Sequence, residues 1–270
     1  MMKQYIVDAF TDTPFSGNPA AVCVMNAWPS ESFMRMLAME NNLSETAFIV
    51  REEHGYRLRW FTPGTEVDLC GHATLASAFV ILNFIEPESD TVRFDTRSGI
   101  LTVMRCGNQY EMDFPTCPLE EIPVSDEMEK AFGVRPVRAL LGLDLICVFR
   151  HEDEVRNMNP DQVLLMRLPG RLQNATAEGR ETDCVSRSFC PKVAVPEDPV
   201  CGSAHCQIGD YWAKELGKPV IRAFQASRRG GFLTCEPKGD GRIAIRGEAV
   251  LIAVSRIMAA EDGESEEFPS

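Results

Sequence analysis

An internal repeat constrains the fold of this chain more than any other feature of its sequence. Phe61-Thr-Pro63 leads to Asp68-Leu-Cys-Gly-His-Ala73, and Phe189-Cys-Pro191 leads to Asp198-Pro-Val-Cys-Gly-Ser-Ala204. Each copy follows a Phe-x-Pro element and opens a helical segment, so the match indicates duplication of a whole structural unit. The sequence therefore predicts two related halves, each with its own copy of this helix start.

Strand-forming runs separated by turn residues recur in both halves. They cover residues 5–7, 20–24, 47–50, 56–61, 91–94 and 101–104, and then 138–141, 145–149, 220–224, 231–235 and 242–246. Helices are predicted near 30–40, over 72–83 and over 203–216. Because 72–83 is apolar or small on nearly all sides, we expect protein to surround that helix and a sheet to wrap it.

The length of 270 residues favours two domains of ordinary size. Prolines and a lack of periodicity at 114–118 predict a boundary there, which gives an N-terminal domain over 1–116 and a C-terminal domain over 117–260. The acidic segment 261–270 has few groups able to pack, so we expect it to be a disordered tail.

Composition narrows the classes of partner. A formal net charge of −13 repels phosphate backbones and excludes nucleic acid as an expected partner. No apolar run resembles a signal peptide or a membrane span, so no membrane partner is expected and the cytoplasm is the expected location. The ten cysteines are scattered through the chain, and most are interpreted as small buried hydrophobic residues.

Gly71 and Gly202 each lie where a strand-like segment becomes a helix. The first turn of a helix leaves backbone N–H groups without internal partners, and such a start can bind a carboxylate. Two such starts facing each other across an interface would enclose a small carboxylated metabolite and stabilise an enolate. The alternative is that both glycines only permit tight turns.

Two kinds of proton carrier stand near these turns. Helix starts favour thiolates, so Cys70 and Cys201 could act as an opposed pair in a racemase, one removing a proton and the other returning one. Glu45 directly precedes an apolar strand, and a partly desolvated glutamate could shuttle a proton between two carbons. Structural roles are the alternative for all three, and periodicity does not choose between them.

The remaining polar candidates are His72 and Asp198, which could hold a substrate carboxylate or hydroxyl or could cap helices. The turn at Gly17 and Asn18 could line the site, as loops on rigid scaffolds often do. The four histidines show no tight ligand spacing, so no metal is predicted. Nucleotide-binding fingerprints are absent, and no cofactor is predicted.

Together these segments resemble the PhzF family. The resemblance rests on motifs that occur in the family's order across nearly the whole chain: Asp8-Ala-Phe-Thr, Phe15-Ser-Gly-Asn-Pro-Ala-Ala-Val22, Ser44-Glu-Thr46, Phe61-Thr-Pro, Asp68-Leu-Cys-Gly-His-Ala-Thr74 and Glu197-Asp-Pro-Val-Cys-Gly-Ser-Ala-His205. It implies an α+β, diaminopimelate epimerase-like fold. In that fold two pseudo-symmetric domains each wrap a curved, mostly antiparallel sheet around a central helix, with the active site in the cleft between them.

The same resemblance implies a cofactor-free isomerase and a homodimer. By motif match Glu45 is the proton-shuttling residue, and His72, Asp198, Gly202 and Ser203 match substrate-binding or assisting positions. Cys70 and Cys201 occupy places that resemble the paired cysteines of diaminopimelate epimerase and proline racemase. We favour Glu45 because the whole motif framework is PhzF-like. A two-cysteine racemase or epimerase, and a non-catalytic ligand-binding or interaction module, remain as alternatives.

Overall fold

The computed structural model describes residues 2–193 and 195–259. Within those ranges the first half contains nine strands: β1 (Met2–Ala9), β2 (Asn18–Met25), β3 (Glu45–Glu52), β4 (Gly55–Phe61), β5 (Glu66–Val67), β6 (Thr91–Thr96), β7 (Gly99–Cys106), β8 (Gln109–Pro115) and β9 (Glu120–Ile122). The second half contains nine more: β10 (Arg138–Leu141), β11 (Leu145–Val148), β12 (Gln173–Glu178), β13 (Cys184–Cys190), β14 (Val195–Asp198), β15 (Ile221–Gln225), β16 (Gly231–Pro237), β17 (Arg242–Gly247) and β18 (Ala249–Ile257).

Six α-helices accompany these strands in the described ranges: α1 (Glu31–Asn41), α2 (Gly71–Val80), α3 (Asp126–Phe132), α4 (Glu152–Asn157), α5 (Gln162–Leu165) and α6 (Gly202–Leu216). A π-helical turn at Ile81–Ile85 extends α2. The three helices predicted from the sequence are confirmed as α1, α2 and α6, with starts within one residue of the expected positions. The predicted strand runs all fall in or at the ends of observed strands.

Strand pairing repeats between the halves. In the first half β1–β2 is antiparallel, β2–β3 parallel, β3–β4 antiparallel and β4–β6 parallel, and β6, β7 and β8 continue antiparallel. The second half gives the same series from β10 to β17, with β11–β12 and β13–β15 as its parallel pairs. The short strands β5 and β14 pair with β4 and β13 respectively. The duplication inferred from one short motif therefore extends through the entire hydrogen-bonding pattern.

The last strand of each half pairs with the first strand of the other half. β9 pairs with β10, whereas β18 returns to pair with β1 at the other end of the chain, and β8 pairs with β17. One continuous eighteen-stranded sheet results. The predicted boundary at 116/117 falls between β8 and β9, and the division into domains stays a prediction. The predicted tail 261–270 lies outside the described residues.

Each half places one helix against the interior of its sheet. α2 packs against β1, β2, β3, β8 and β18, and all of its residues are buried except Gly71 and Phe79. α6 packs against β15, β16 and β17, and its first two turns are almost wholly buried. A helix without a polar face must be enclosed in this way, because every side of it carries apolar surface. In residues 2–193 and 195–259 there is no helix with both the length and the apolarity to cross a bilayer.

Candidate active site

The starts of α2 and α6 meet at the junction of the two halves. Both helices begin directly after an extended cysteine, Cys70 or Cys201, that makes no side-chain capping bond. The backbones are close: a Cβ added to Gly71 would lie 3.7 Å from the Cα of Gly202. The N–H groups of both first turns and the positive ends of both helix dipoles therefore adjoin one small space, as the glycine repeat predicted.

Glu45 and His72 face each other beside this space. Glu45 is the first residue of β3 and His72 is the second residue of α2, and Oε2 of the carboxylate lies 3.1 Å from Nε2 of the imidazole. Their side chains are only 17% and 6% exposed, so this contact is sheltered from bulk water. A carboxylate and an imidazole at this distance can hold and transfer a proton.

Asn18, the first residue of β2, connects the dyad to the second half. Its Nδ2 group donates to Oδ1 of Asp198 at 2.6 Å and to the carbonyl of Val200 at 3.0 Å, and it lies 3.2 Å from Nδ1 of His72. The amide group carries two hydrogens, and the two shorter contacts, to Asp198 and Val200, take both of them. Asn18 therefore joins the start of β2 to the segment that precedes α6.

Three buried polar atoms of this cluster have no hydrogen-bond partner within the described residues. They are Oδ1 of Asn18, Oε2 of Glu45 and Nε2 of His72; the last two are close to each other but not aligned as a hydrogen bond. Buried polar atoms are nearly always paired in folded proteins, so three unpaired ones in one place indicate a ligand that completes them. Catalytic hydrogen bonds are often poorly aligned until substrate binds.

Burial shifts the ionisation of this cluster. Desolvation opposes a charged imidazole, but neighbouring groups, among them the Glu45 carboxylate, outweigh it and raise the pKa of His72 well above its usual value. Desolvation, partly offset by His72, raises the pKa of Asp198 above its ordinary 3.8. Buried surroundings that disfavour isolated charge also strengthen any electrostatic contact made with a bound anion.

Both candidate thiols belong to the site. Sγ of Cys70 is 3.5 Å from Nδ1 of His72, and Sγ of Cys201 is 3.4 Å from Oγ of Ser203. Desolvation raises the pKa of both thiols, reinforced at Cys70 by Glu45 and at Cys201 by Asp198. Both shifts oppose the thiolate that a helix start favours, and the role of the two cysteines as proton carriers stays a prediction.

Glu45, Cys70 and His72 place a carboxylate oxygen, a sulfur and a ring nitrogen within 4.8 Å of one another. These types of atom can ligate a metal ion. Glu45 lies against Nε2 of His72, and Cys70 lies against Nδ1. The three atoms lie close enough together to contact a single ion, and the expected absence of a metal stays a prediction.

Gly17 has a structural explanation. Its φ is +64°, and a Cβ there would come within 2.2 Å of the Ala9 carbonyl oxygen. Its N–H donates to the carbonyl of Gly230, and its own carbonyl accepts from Nε of Arg229. Only glycine fits this turn, which positions the adjacent Asn18. A direct role for Gly17 in substrate binding stays a prediction.

Sequence reasoning missed Arg171 and Asp144, which border the site in the second half. Nη2 of Arg171 donates to Oγ of Ser203 at 3.0 Å, and its Nε donates to Oδ1 of Asp144. The sequence around Asp144 does indicate a buried charge. A charged residue at the start of the apolar run Leu145–Val148 indicates a buried carboxylate that needs a cation, although not which cation.

Known proteins match this chain over nearly its whole length. An uncharacterized isomerase of Pseudomonas aeruginosa is 47% identical over 93% of this chain and 96% of its own length. The crystal structure of a PhzF family phenazine biosynthesis protein from Enterococcus faecalis superposes with a TM-score of 0.91 at 48% identity, covering 94% of this chain and 97% of that one. A probable proline racemase from Agrobacterium radiobacter, 9% identical with a TM-score of 0.65 over 98% of this chain and 94% of that one, shares the fold.

These relatives put the chain in the isomerase class with a diaminopimelate epimerase-like fold, which confirms the predicted fold class. The family model for PhzC-PhzF, described as phenazine biosynthesis-like protein, matches residues 7–255. The chain belongs to this family, as its motifs indicated.

Proposed function

We propose that this protein is a cofactor-independent isomerase that moves a proton between two carbons of a small carboxylated metabolite, with Glu45 as the general acid/base. The observation that carries the proposal is the set of unpaired buried atoms on Asn18, Glu45 and His72 beside two facing helix starts. A substrate with a carboxylate and an acidic C–H bond would satisfy both features at once.

Binding would begin at the helix starts. The free N–H groups of the first turns at Gly71 and Gly202 suit the oxygens of a carboxylate, and the hydroxyl of Ser203 can add a donor. The same donors stabilise negative charge as it spreads onto the carboxyl group during deprotonation. A substrate held in this way presents its neighbouring carbons to Glu45.

The reaction is balanced without any external oxidant or base. The Glu45 carboxylate takes a proton as one C–H bond breaks, and the electron pair delocalises into the carboxyl-conjugated system as an enolate. A C–H bond then forms at a second carbon as protonated Glu45 returns the proton. His72 stays beside the reacting carboxyl group, with its Nε2 3.1 Å from Oε2 of Glu45.

Glu45 is favoured over the thiols for a physical reason. Burial raises the pKa of Cys70 and Cys201, so both are neutral thiols near pH 7 and weak as bases. Glu45 also has an unpaired oxygen inside the cluster. The two-cysteine racemase and the non-catalytic binding module remain the alternatives that an experiment must exclude.

The test is a screen of small carboxylic acids in deuterated water, followed by NMR or mass spectrometry, with native protein and the Glu45→Gln variant. The proposal predicts a substrate whose C–H positions exchange with native protein and about 10²–10⁴-fold more slowly with Glu45→Gln. Glu120→Gln is the matched control, because Glu120 also begins a strand but is exposed. Equal exchange by Glu45→Gln and native protein would refute the role of Glu45, and an absence of exchange across the screen would favour the binding module.

A further inference from the structure

Arg171 is held rigidly at the edge of the cleft. Its Nε donates to Oδ1 of Asp144 at 3.0 Å and its Nη2 donates to Oδ2 at 3.2 Å. Asp144 is fully buried and also accepts from the backbone N–H of Leu172 and from Nε2 of Gln207. With four hydrogen bonds fixing the carboxylate, the guanidinium plane has one orientation relative to the start of α6.

This orientation decides what the Ser203 hydroxyl can do. Nη2 of Arg171 lies 3.0 Å from Oγ of Ser203, and a guanidinium can only donate. Oγ must therefore accept, and its own hydrogen turns away from the arginine. That hydrogen can point to Sγ of Cys201, 3.4 Å from Oγ, which is a weak acceptor that a carboxylate oxygen would displace.

The internal repeat shows where this pair lies relative to the acid/base pair. Aligning Cys70 with Cys201 makes His72 equivalent to Ser203. Thr46 pairs with Phe61 in one half and Gln173 pairs with Phe189 in the other, so Glu45 corresponds to Leu172, the neighbour of Arg171. Where the first half sets a carboxylate against an imidazole, the second half sets a guanidinium against a hydroxyl.

The two sides of the cleft therefore differ in charge preference. The Glu45 side combines a helix start with a carboxylate and an imidazole, whereas the Ser203 side combines a helix start with a hydroxyl donor and a guanidinium that is paired with Asp144. An asymmetric substrate with one carboxylate has a single favoured orientation between them. That orientation puts its carboxylate toward α6 and its reacting carbons toward Glu45.

We propose that Arg171 is a positioning residue for the substrate carboxylate, acting by holding Oγ of Ser203 as an acceptor so that the serine hydroxyl donates to the bound anion. The inference rests on the proposed function for its choice of substrate class. Asp144 and Gln207 serve it by fixing the guanidinium.

Binding of benzoate and benzamide tests this without requiring turnover. The two probes share a ring and differ in whether they carry an anionic carboxylate, and calorimetry or ligand-observed NMR gives both affinities. Native protein is expected to bind benzoate more tightly than benzamide. In the Arg171→Gln/Asp144→Asn double variant the ratio of the two affinities is expected to fall about tenfold. The double variant avoids leaving an unpaired buried carboxylate.

Combining the variants distinguishes a positioning role of Arg171 through Ser203 from a general structural role of Arg171. Ser203→Ala should lose the same share of the benzoate preference, and combining it with the double variant should cause no further loss, since Arg171 acts through Ser203. Ser203→Ala disturbs no buried charge, so it tests the inference even if the double variant does not fold. The matched control is Arg242→Gln, because Arg242 also pairs with an aspartate and its side chain is 41% exposed against 42% for Arg171.

A native protein without preference for benzoate, a folded double variant that keeps the native preference, or independent losses from Ser203 and Arg171 would each overturn the inference. These outcomes differ from a failure of the proposed function. If Glu45→Gln loses proton exchange and the Arg171 variant keeps the native preference for benzoate, this inference is wrong and the proposed function stands. If Glu45→Gln exchanges protons like native protein and the Arg171 variant loses the preference for benzoate, only the proposed function is wrong.

Discussion

Nδ2 of Asn18 lies 2.6 Å from Oδ1 of Asp198, a hydrogen bond between residues 180 positions apart in the chain. It joins the first strand after the opening loop to the segment that precedes α6. Because the same nitrogen faces Nδ1 of His72, this bond aligns the imidazole with the second half of the protein. The Glu45–His72 pair of one half is therefore held in register with the helix start of the other.

Replacing Asp198 by Asn should change how stability depends on pH. Burial raises the pKa of Asp198, so the native state favours its protonated form and loses stability as pH rises through that folded-state pKa. The variant has no such loss. Its Tm relative to native protein should therefore increase from about pH 4 to pH 8, as thermal melts across that range will measure.

Asp12→Asn is the control for this experiment, because the carboxyl group of Asp12 is exposed. A Tm difference between Asp198→Asn and native protein that stays constant or narrows with rising pH would contradict the account. The size of the Tm difference at any single pH would not matter, since only its change with pH reports the titration of Asp198.

Gly71→Ala and Gly202→Ala should impair activity without unfolding the protein. The nearest atoms to the added Cβ would be at 3.7 Å for Gly71 and at 3.4 Å for Gly202, which are ordinary contacts. Stability should change by no more than about 1 kcal/mol, while the methyl groups narrow the space where the two helix starts meet. We expect exchange activity to fall at least about tenfold.

Gly209→Ala provides the contrast, because its Cβ would lie 2.4 Å from Cβ of Cys235 inside α6 packing. That variant should lose stability in denaturant unfolding. Full exchange activity in both Gly71→Ala and Gly202→Ala would show that substrate does not approach these backbones.

Alkylation distinguishes the ten cysteines. At pH 7.5 iodoacetamide should label Cys106, which is exposed, and leave Cys70 and Cys201 unlabelled, because both are buried and burial raises the pKa of their thiols. Peptide mapping by mass spectrometry measures the rates. If Cys70 or Cys201 were labelled as fast as Cys106, these thiolates would be accessible and the two-cysteine mechanism would be supported.

The features that could be predicted from sequence are those with a local pattern. The all-round apolar segment that became α2 and the repeated Cys-Gly start that became α6 were both recognisable without a partner. β12 and β13 were missed because their interior positions carry Asn174, Thr176, Ser186 and Ser188, all buried. A polar buried strand has no alternating pattern to detect, since its burial depends on hydrogen-bond partners elsewhere in the fold.

The site also has features that the sequence predicts and features that it does not. Glu45, His72 and Asp198 were found through motifs, but the contact between Glu45 and His72 joins a strand to a helix and has no signature in either segment. Arg171 stands 32 residues before Ser203 and 27 residues after Asp144. Such pairings arise from the path of the chain, so only the folded structure brings them together.

The central claim is that Glu45, and not the pair of thiols, carries the proton. The most direct measurement is the initial rate of deuterium incorporation into an accepted carboxylate for native protein, Glu45→Gln and the Cys70→Ala/Cys201→Ala double variant, each verified as folded. The account predicts a loss of about 10²–10⁴-fold for Glu45→Gln and retention of most of the rate by the double cysteine variant. Native-like exchange by Glu45→Gln, with loss of exchange in the cysteine variant, would contradict it.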